Sequence, residues 1–101
     1  MPEKKDEFLE QMKKKYDELN YHWNIERNKF EAKIQHESAG AKKKLEAERD
    51  ELLKLRDEMK EKIIDLEVAS ENAWYDVKDG VENAWKALSK SFDKATSHFK
   101  K

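Results

Sequence analysis

The sequence contains no cysteine, one proline and two glycines among its 101 residues. Without cysteine the chain has neither a disulfide framework nor a thiolate site for a metal ion. Pro2 stands where a helix tolerates proline, in or before its first turn. Only Gly40 and Gly80 are therefore candidate interruptions of helical structure, and we expect long helices between them.

Apolar residues are scarce but regularly spaced. They make up 37% of the sequence, whereas 45% of the residues are charged. A compact globular domain of this length normally contains more apolar material. A disordered chain, in contrast, lacks large apolar residues at regular intervals. The remaining class is the extended amphipathic helix with a narrow apolar stripe.

The sequence has almost no net charge and no long apolar run. The 23 acidic and 22 basic residues nearly cancel, so there is no overall positive field to attract nucleic acid. No window approaches the ~18 consecutive apolar residues of a membrane span. The opening residues MPEKKDE lack the apolar core of a signal peptide. We expect a cytoplasmic protein that does not bind nucleic acid.

The apolar residues repeat every eleven positions. The longest series is Phe8, Leu19, Phe30, Ala41, Leu52, Ile63, Trp74 and Trp85. A second series in the later half is Leu55, Leu66, Val77, Leu88 and Phe99. Eleven residues cover three helical turns at ~3.67 residues per turn, so each series lies on one helix face. The sequence therefore predicts an all-α fold with a hendecad repeat, whose stripe has gaps at Arg27, Ser38, Glu48 and Ser70.

Two arrangements of the chain fit this pattern, each a single elongated unit over residues 1–101. The first is one continuous helix, favoured slightly because the eleven-residue series keeps its phase across Gly40 and Gly80. Such a rod would be ~150 Å long and could bury its stripe only by self-association. The second is a helical hairpin that turns at Gly40, in the least apolar part of the chain, with a third short helix after Gly80.

The apolar stripe is also the predicted interface of a self-associating coiled coil. Its partner would be a second copy of the chain or another helical protein, because a stripe on one long helix cannot cover itself. The predicted interface residues are Phe8, Leu19, Phe30, Leu52, Ile63, Leu66, Trp74, Val77, Trp85, Leu88, Phe92 and Phe99.

The C-terminal segment 81–101 supports an alternative, binding to an anionic membrane surface. Residues 86–101 contain five lysines and one aspartate. A basic amphipathic helix with aromatic anchors is typical of membrane-surface segments. The contact residues would be Trp85, Lys86, Leu88, Lys90, Phe92, Lys94 and Phe99. The acidic block over 67–85 could instead pair with the basic block of a partner helix, which favours protein–protein packing.

The sequence shows no pattern of catalytic residues. It contains no nucleophile elbow, P-loop or HExxH motif, and a narrow coiled coil has no cleft for a pair of carboxylates. Glu18, His22 and Glu26 have the spacing that could place three metal ligands on one helix face. Such mixed faces arise readily in a chain rich in glutamate, so we interpret them as solvated. We expect no enzymatic activity, no metal and no cofactor.

Residues 69–99 resemble a group of small bacterial coiled-coil proteins, some of which are described as stress-response proteins. The C-terminal halves of that group follow the pattern ASxxAWxDxKxGVxxAWxxL and end in phenylalanines. This chain reads ASENAWYDVKDGVENAWKAL over 69–88. It departs at Tyr75 and Val77, where a charged residue and a leucine are expected. The resemblance implies a bacterial, non-enzymatic coiled-coil protein linked to stress, and a helix that passes through Gly80.

Overall fold

The computed structural model describes residues 4–99, which form three α-helices and a C-terminal turn of 3₁₀ helix. The α-helices are α1 (Lys5–His36), α2 (Ala39–Val68) and α3 (Trp74–Thr96), and the 3₁₀ turn is Ser97–Phe99. No strand occurs within 4–99. The all-α fold that the sequence predicts is confirmed.

The three helices form one elongated antiparallel bundle. Lys13 lies beside Glu67, and Arg49 lies beside Glu31, so α1 and α2 run in opposite directions. The α3 helix turns back again and runs parallel to α1: at one end the ring centroids of Phe8 and Trp74 are 6.0 Å apart. At the other end those of Phe30 and His98 are 6.3 Å apart.

The continuous rod is wrong, and the hairpin alternative describes the chain. The bundle measures 52 × 19 × 18 Å, far from the ~150 Å of a single helix. A reversal buries the stripe within one chain and costs only loop-closure entropy. In a continuous rod the same apolar residues would stay exposed to water until two copies of the chain associated.

Serines mark both reversals, and neither glycine is used. The chain turns at residues 37–38, where both backbones are extended, and the Ser38 carbonyl accepts a hydrogen bond from Lys42 at 2.8 Å. Gly40 lies in the first turn of α2. The second connection is 69–73, where the Ser70 hydroxyl accepts a hydrogen bond from the amide of Ala73 at 3.1 Å. The Ser70 side chain thus satisfies an amide in the turn before α3, as capping serines do. Ser38 is the N-cap residue of α2, but its side chain makes no capping hydrogen bond.

The third helix begins earlier than predicted and continues through Gly80. It starts at Trp74, so the break at Gly80 that the hairpin alternative included is wrong, and α3 passes through Gly80 as the resemblance implies. A β-carbon at Gly80 would meet only the end of the Lys62 side chain, at 3.9 Å. Gly80 thus weakens the helix by only about 1 kcal/mol relative to alanine and does not end it.

The core consists of the apolar residues of the stripe, which pack against one another between the three helices. Each helix presents its own stretch of the stripe to the shared axis of the bundle. Val77, Trp85 and Phe92 lie at the margin and are partly buried. The buried apolar residues are Phe8, Met12, Leu19, Trp23, Phe30, Ile34, Leu45, Leu52, Met59, Ile63, Leu66, Trp74, Val81, Leu88 and Ala95.

Backbone carbonyls at the end of α2 are satisfied by a lysine from α1. The ammonium group of Lys5 donates hydrogen bonds to the carbonyls of Glu67, at 3.0 Å, and of Ala69. A cation at a helix C-terminus also interacts favourably with the helix dipole. This contact fixes the start of α1 against the end of α2.

The different burial of Trp74 and Trp85 predicts different effects of their removal. Trp74 is only 2% exposed, so Trp74→Ala should lower the free energy of unfolding by about 3–5 kcal/mol. Trp85→Ala should cost less, because part of its ring already contacts water. Urea denaturation followed by circular dichroism measures both. Tyr21→Ala, at a residue that is 64% exposed, is the control and should change stability by less than about 0.5 kcal/mol. Equal losses for the two tryptophans would contradict the packing.

Candidate interaction surface

The α1/α2 groove is an open depression of about 340 Å³ between the first two helices. Ile63 forms its buried floor, Tyr16 is half-buried in its wall, and Ile64 stands at its edge with 48% of its surface exposed. Four charged residues complete the lining, namely Lys13, Asp17, Lys60 and Glu67. The groove therefore has an apolar centre with a charged rim.

Apolar side chains continue beyond this groove toward the end of α2. Val68, one turn after Ile64, is 79% exposed. Tyr75, just past the connection to α3, is half-exposed, and its ring stacks on Trp74 with 4.2 Å between the centroids. Large exposed apolar residues in a chain this polar mark a surface that can contact another molecule.

Sequence reasoning missed Ile64 and Val68. Ile63 and Ile64 are adjacent, and the eleven-residue series selects only the first for the stripe. The available signal was their spacing. Ile64 and Val68 are four residues apart, which places both on one face of α2, beside the face that carries the stripe.

The residues predicted for an interface between copies belong to the core of a single chain. Phe8, Leu19, Phe30, Leu52, Ile63, Leu66, Trp74 and Leu88 are buried, and Val77, Trp85 and Phe92 are partly buried. The side chain of Phe99 lies outside the described residues. A contact between copies through this stripe would require the bundle to open.

The residues predicted for membrane contact are divided between core and surface. Lys86, Lys90 and Lys94 are exposed, but Leu88 is completely buried. Trp85 and Phe92 line a second groove, of about 200 Å³ between α1 and α3, where the Lys15 ammonium lies 6.0 Å from the Trp85 ring centroid. The apolar face of α3 is thus largely covered within the bundle, with Val81, Leu88 and Ala95 buried. Among the described residues no helix has the length and apolar character to cross a membrane.

A buried carboxylate lies at the opposite end of the bundle from Val68. The side chain of Glu48 is 8% exposed and occupies one of the gaps in the stripe. Its Oε2 is 2.7 Å from His98 Nε2, and its Oε1 is 4.0 Å from the ammonium of Lys94. Because a buried carboxylate is costly without partners, this cluster fixes the C-terminal turn onto α2.

The Glu48–His98 pair lacks the other parts of a catalytic site. A carboxylate and an imidazole can act together as an acid–base pair when a reacting group lies within reach. Within 4–99 no hydroxyl hydrogen-bonds to His98, and the Phe30 ring packs beside the imidazole. The pair joins α2 to the C-terminal turn that follows α3.

Two further sets of polar side chains lie on the surface of the bundle. The Nη1 atom of Arg49 donates to both carboxylate oxygens of Glu31, at 3.0 and 3.1 Å, and this hydrogen bonding raises the pKa of Arg49. The pair ties α1 to α2. His22, from the trio with Glu18 and Glu26, packs edge-on against Tyr21. Over residues 4–99 no three ligating side chains converge as a metal site.

Removal of His98 should destabilise the bundle through Glu48. We expect His98→Ala to lower the free energy of unfolding by about 1–3 kcal/mol, because it leaves a buried carboxylate without its partner. In the Glu48→Leu background the same substitution should cost much less, since no buried charge remains. Urea unfolding of the wild type and the three variants measures the coupling. Equal losses in both backgrounds would disprove the contact.

Comparison with family models, with curated proteins and with solved structures gives no match for this chain. Its function must therefore be inferred from its own residues, and the resemblance over 69–99 stays a prediction from sequence.

Proposed function

We propose that this chain is a non-enzymatic interaction protein that acts as a folded three-helix bundle through the α1/α2 groove. One observation carries the proposal. The apolar stripe is covered within the chain, yet Ile64 stands exposed at the edge of an open groove with an apolar floor. Val68 is exposed one turn further along α2. An apolar centre inside a polar rim is the usual anatomy of a protein–protein interface.

The distribution of polar groups supports a role in binding. The buried carboxylate of Glu48 is accounted for by its contacts with His98 and Lys94. The Arg49–Glu31 pair links two helices. Both polar arrangements therefore have an evident structural role, whereas the fold itself does not explain the α1/α2 groove.

The wider biological setting is proposed from the sequence. A bacterial origin and a link to stress rest on the signature over 69–88, and a cytoplasmic location rests on the composition and the N-terminal residues. These attributes are compatible with a small helical bundle that binds another protein.

Site-specific photo-crosslinking tests the proposal with a closely matched control. Ile64 and Ile25 are both isoleucines, 48% and 49% exposed, but only Ile64 adjoins the groove. A benzophenone amino acid at position 64, in cells that express the protein, should give discrete protein adducts that are several-fold more abundant than those at position 25. Equal adduct yields at the two positions, or none at position 64, would refute the proposal.

Membrane-surface binding by 81–101 is a second candidate, favoured by the exposed lysines beside the partly exposed rings of Trp85 and Phe92. The burial of Leu88 and Ala95 argues against it, because α3 would have to leave the bundle to present its apolar face.

We therefore expect the folded chain not to bind lipid. In low salt it should stay in the bottom fraction when phosphatidylglycerol vesicles float, as it should with neutral phosphatidylcholine vesicles. Flotation with the anionic vesicles alone, suppressed by salt, would instead establish the membrane candidate.

A further inference from the structure

The four charges around the α1/α2 groove alternate in sign. Lys13 and Glu67 lie side by side at one end of the groove, with 3.4 Å between the ammonium and a carboxylate oxygen. The helices are antiparallel and rise about 1.5 Å per residue. Asp17 therefore lies about 6 Å further along α1, and Lys60 about 10 Å further in the same direction along α2. At one end of the groove the charge is therefore positive on α1 and negative on α2. At the other end it is negative on α1 and positive on α2.

Such an alternating square of charges is complementary to itself. A second copy placed face to face is related to the first by a two-fold axis that lies in the plane of contact. With the axis along the helices, Lys13 meets Glu67 of the second copy, and Lys60 meets Asp17. With the axis across the helices, Lys13 meets Asp17 instead, and Lys60 meets Glu67. Each lysine faces a carboxylate in both cases, so the pattern attracts its own copy.

The centre of the square is apolar. Ile64 is half-exposed, Tyr16 is half-buried, and Ile63 lies beneath them. Face-to-face contact would place Ile64 of one copy near Ile64 of the other when the axis runs across the helices, and near Tyr16 of the other when it runs along them. In both cases Ile64 would be removed from water. Burial of such central apolar residues is what gives small interfaces their affinity, while rim charges set orientation.

The groove between α1 and α3 lacks this complementarity. Its lining carries acids on both helices, Glu18 on α1 and Asp93 on α3, and its lysine, Lys15, also lies on α1. Its apolar side chains are those of Leu19, Trp85 and Phe92. The self-complementary pattern therefore distinguishes the α1/α2 groove from the α1/α3 groove.

We infer that a second copy of this chain docks face to face on the α1/α2 groove and forms a symmetric dimer of bundles. This inference rests on the proposed function and names its partner. Two helices per copy provide an interface at the small end of the range, so the dimer forms and dissociates with concentration. It joins folded bundles and leaves the apolar core of each intact.

Sedimentation velocity of the full chain over a wide concentration range tests the dimer. The weight-average mass should rise from one chain to two. Ile64→Asp should weaken the dimer at least ~30-fold, as expected for a central residue, while Ile25→Asp, at equal exposure on the far face of α1, should leave it unchanged. Circular dichroism checks that both variants are helical. A wild-type chain that stays monomeric at millimolar concentration, or equal effects of the two variants, would overturn the inference.

Charge-reversal variants test the charge pattern of the α1/α2 groove and show in which direction the two-fold axis of the dimer runs. Lys13→Glu alone should weaken the dimer about tenfold, because two symmetric contacts turn repulsive. With the axis along the helices, adding Glu67→Lys restores the dimer, and adding Asp17→Lys does not. With the axis across the helices, the outcome is reversed. Recovery in one double variant and not the other supports the inference, and recovery in both or neither overturns it.

The two proposals fail in different ways. Adducts at position 64 with other proteins, together with a monomeric chain in sedimentation, would end the dimer and leave the interaction role intact. An absence of adducts of any mass at position 64 in cells, despite a dimer in sedimentation, would end the proposed function alone.

Discussion

The structure depends on the burial of one narrow apolar stripe by reversals of the chain that carries it. Because only 37% of the residues are apolar, they suffice for one narrow core along a shared bundle axis. Three helices provide the smallest arrangement here in which each stretch of stripe faces two others, and Phe30, Leu52 and Leu88 become fully enclosed at its centre. The charged remainder then faces water on every side. Against that surface, exposed apolar residues such as Ile64 and Val68 are conspicuous and require an explanation of their own.

The eleven-residue period predicted the helices and most of the core, but it could not predict the direction of the chain. The phase of the apolar repeat shows only which face of a helix is apolar. Each helix can turn that face to the common axis whichever way the helix runs. Continuity of phase across Gly40 was therefore no evidence for a rod. The better signals were the gaps in the stripe at Ser38 and Ser70, where a residue suited to starting a helix replaces an apolar one. Two of the four gaps coincide with the two reversals.

The candidate site was less accessible to sequence reasoning because it is defined by contacts between helices. The eleven-residue series assigns Ile63 to the core, but it does not show that Ile64 stands at the edge of a groove, because the groove exists only where α1 packs beside α2. Glu48 was visible as a gap, but its partner His98 is fifty residues away in sequence. Only the register of α3 on α2 brings them within 2.7 Å. The alternating charges of the α1/α2 groove likewise appear only when two antiparallel helices place Lys13 beside Glu67.

The thinness of the bundle limits how it can act on other molecules. A body 52 Å long and less than 20 Å across has space around its axis for little beyond its own side chains. Contact with another molecule must therefore occur at the grooves between neighbouring helices. The α2/α3 side carries a smaller depression, of about 200 Å³, in which Glu48 and Lys94 already contact each other. The α1/α3 groove carries acids on both walls. The α1/α2 groove combines an apolar floor with charges arranged to meet their opposites. The same antiparallel reversal that buries the stripe thus creates a surface suited to recognition.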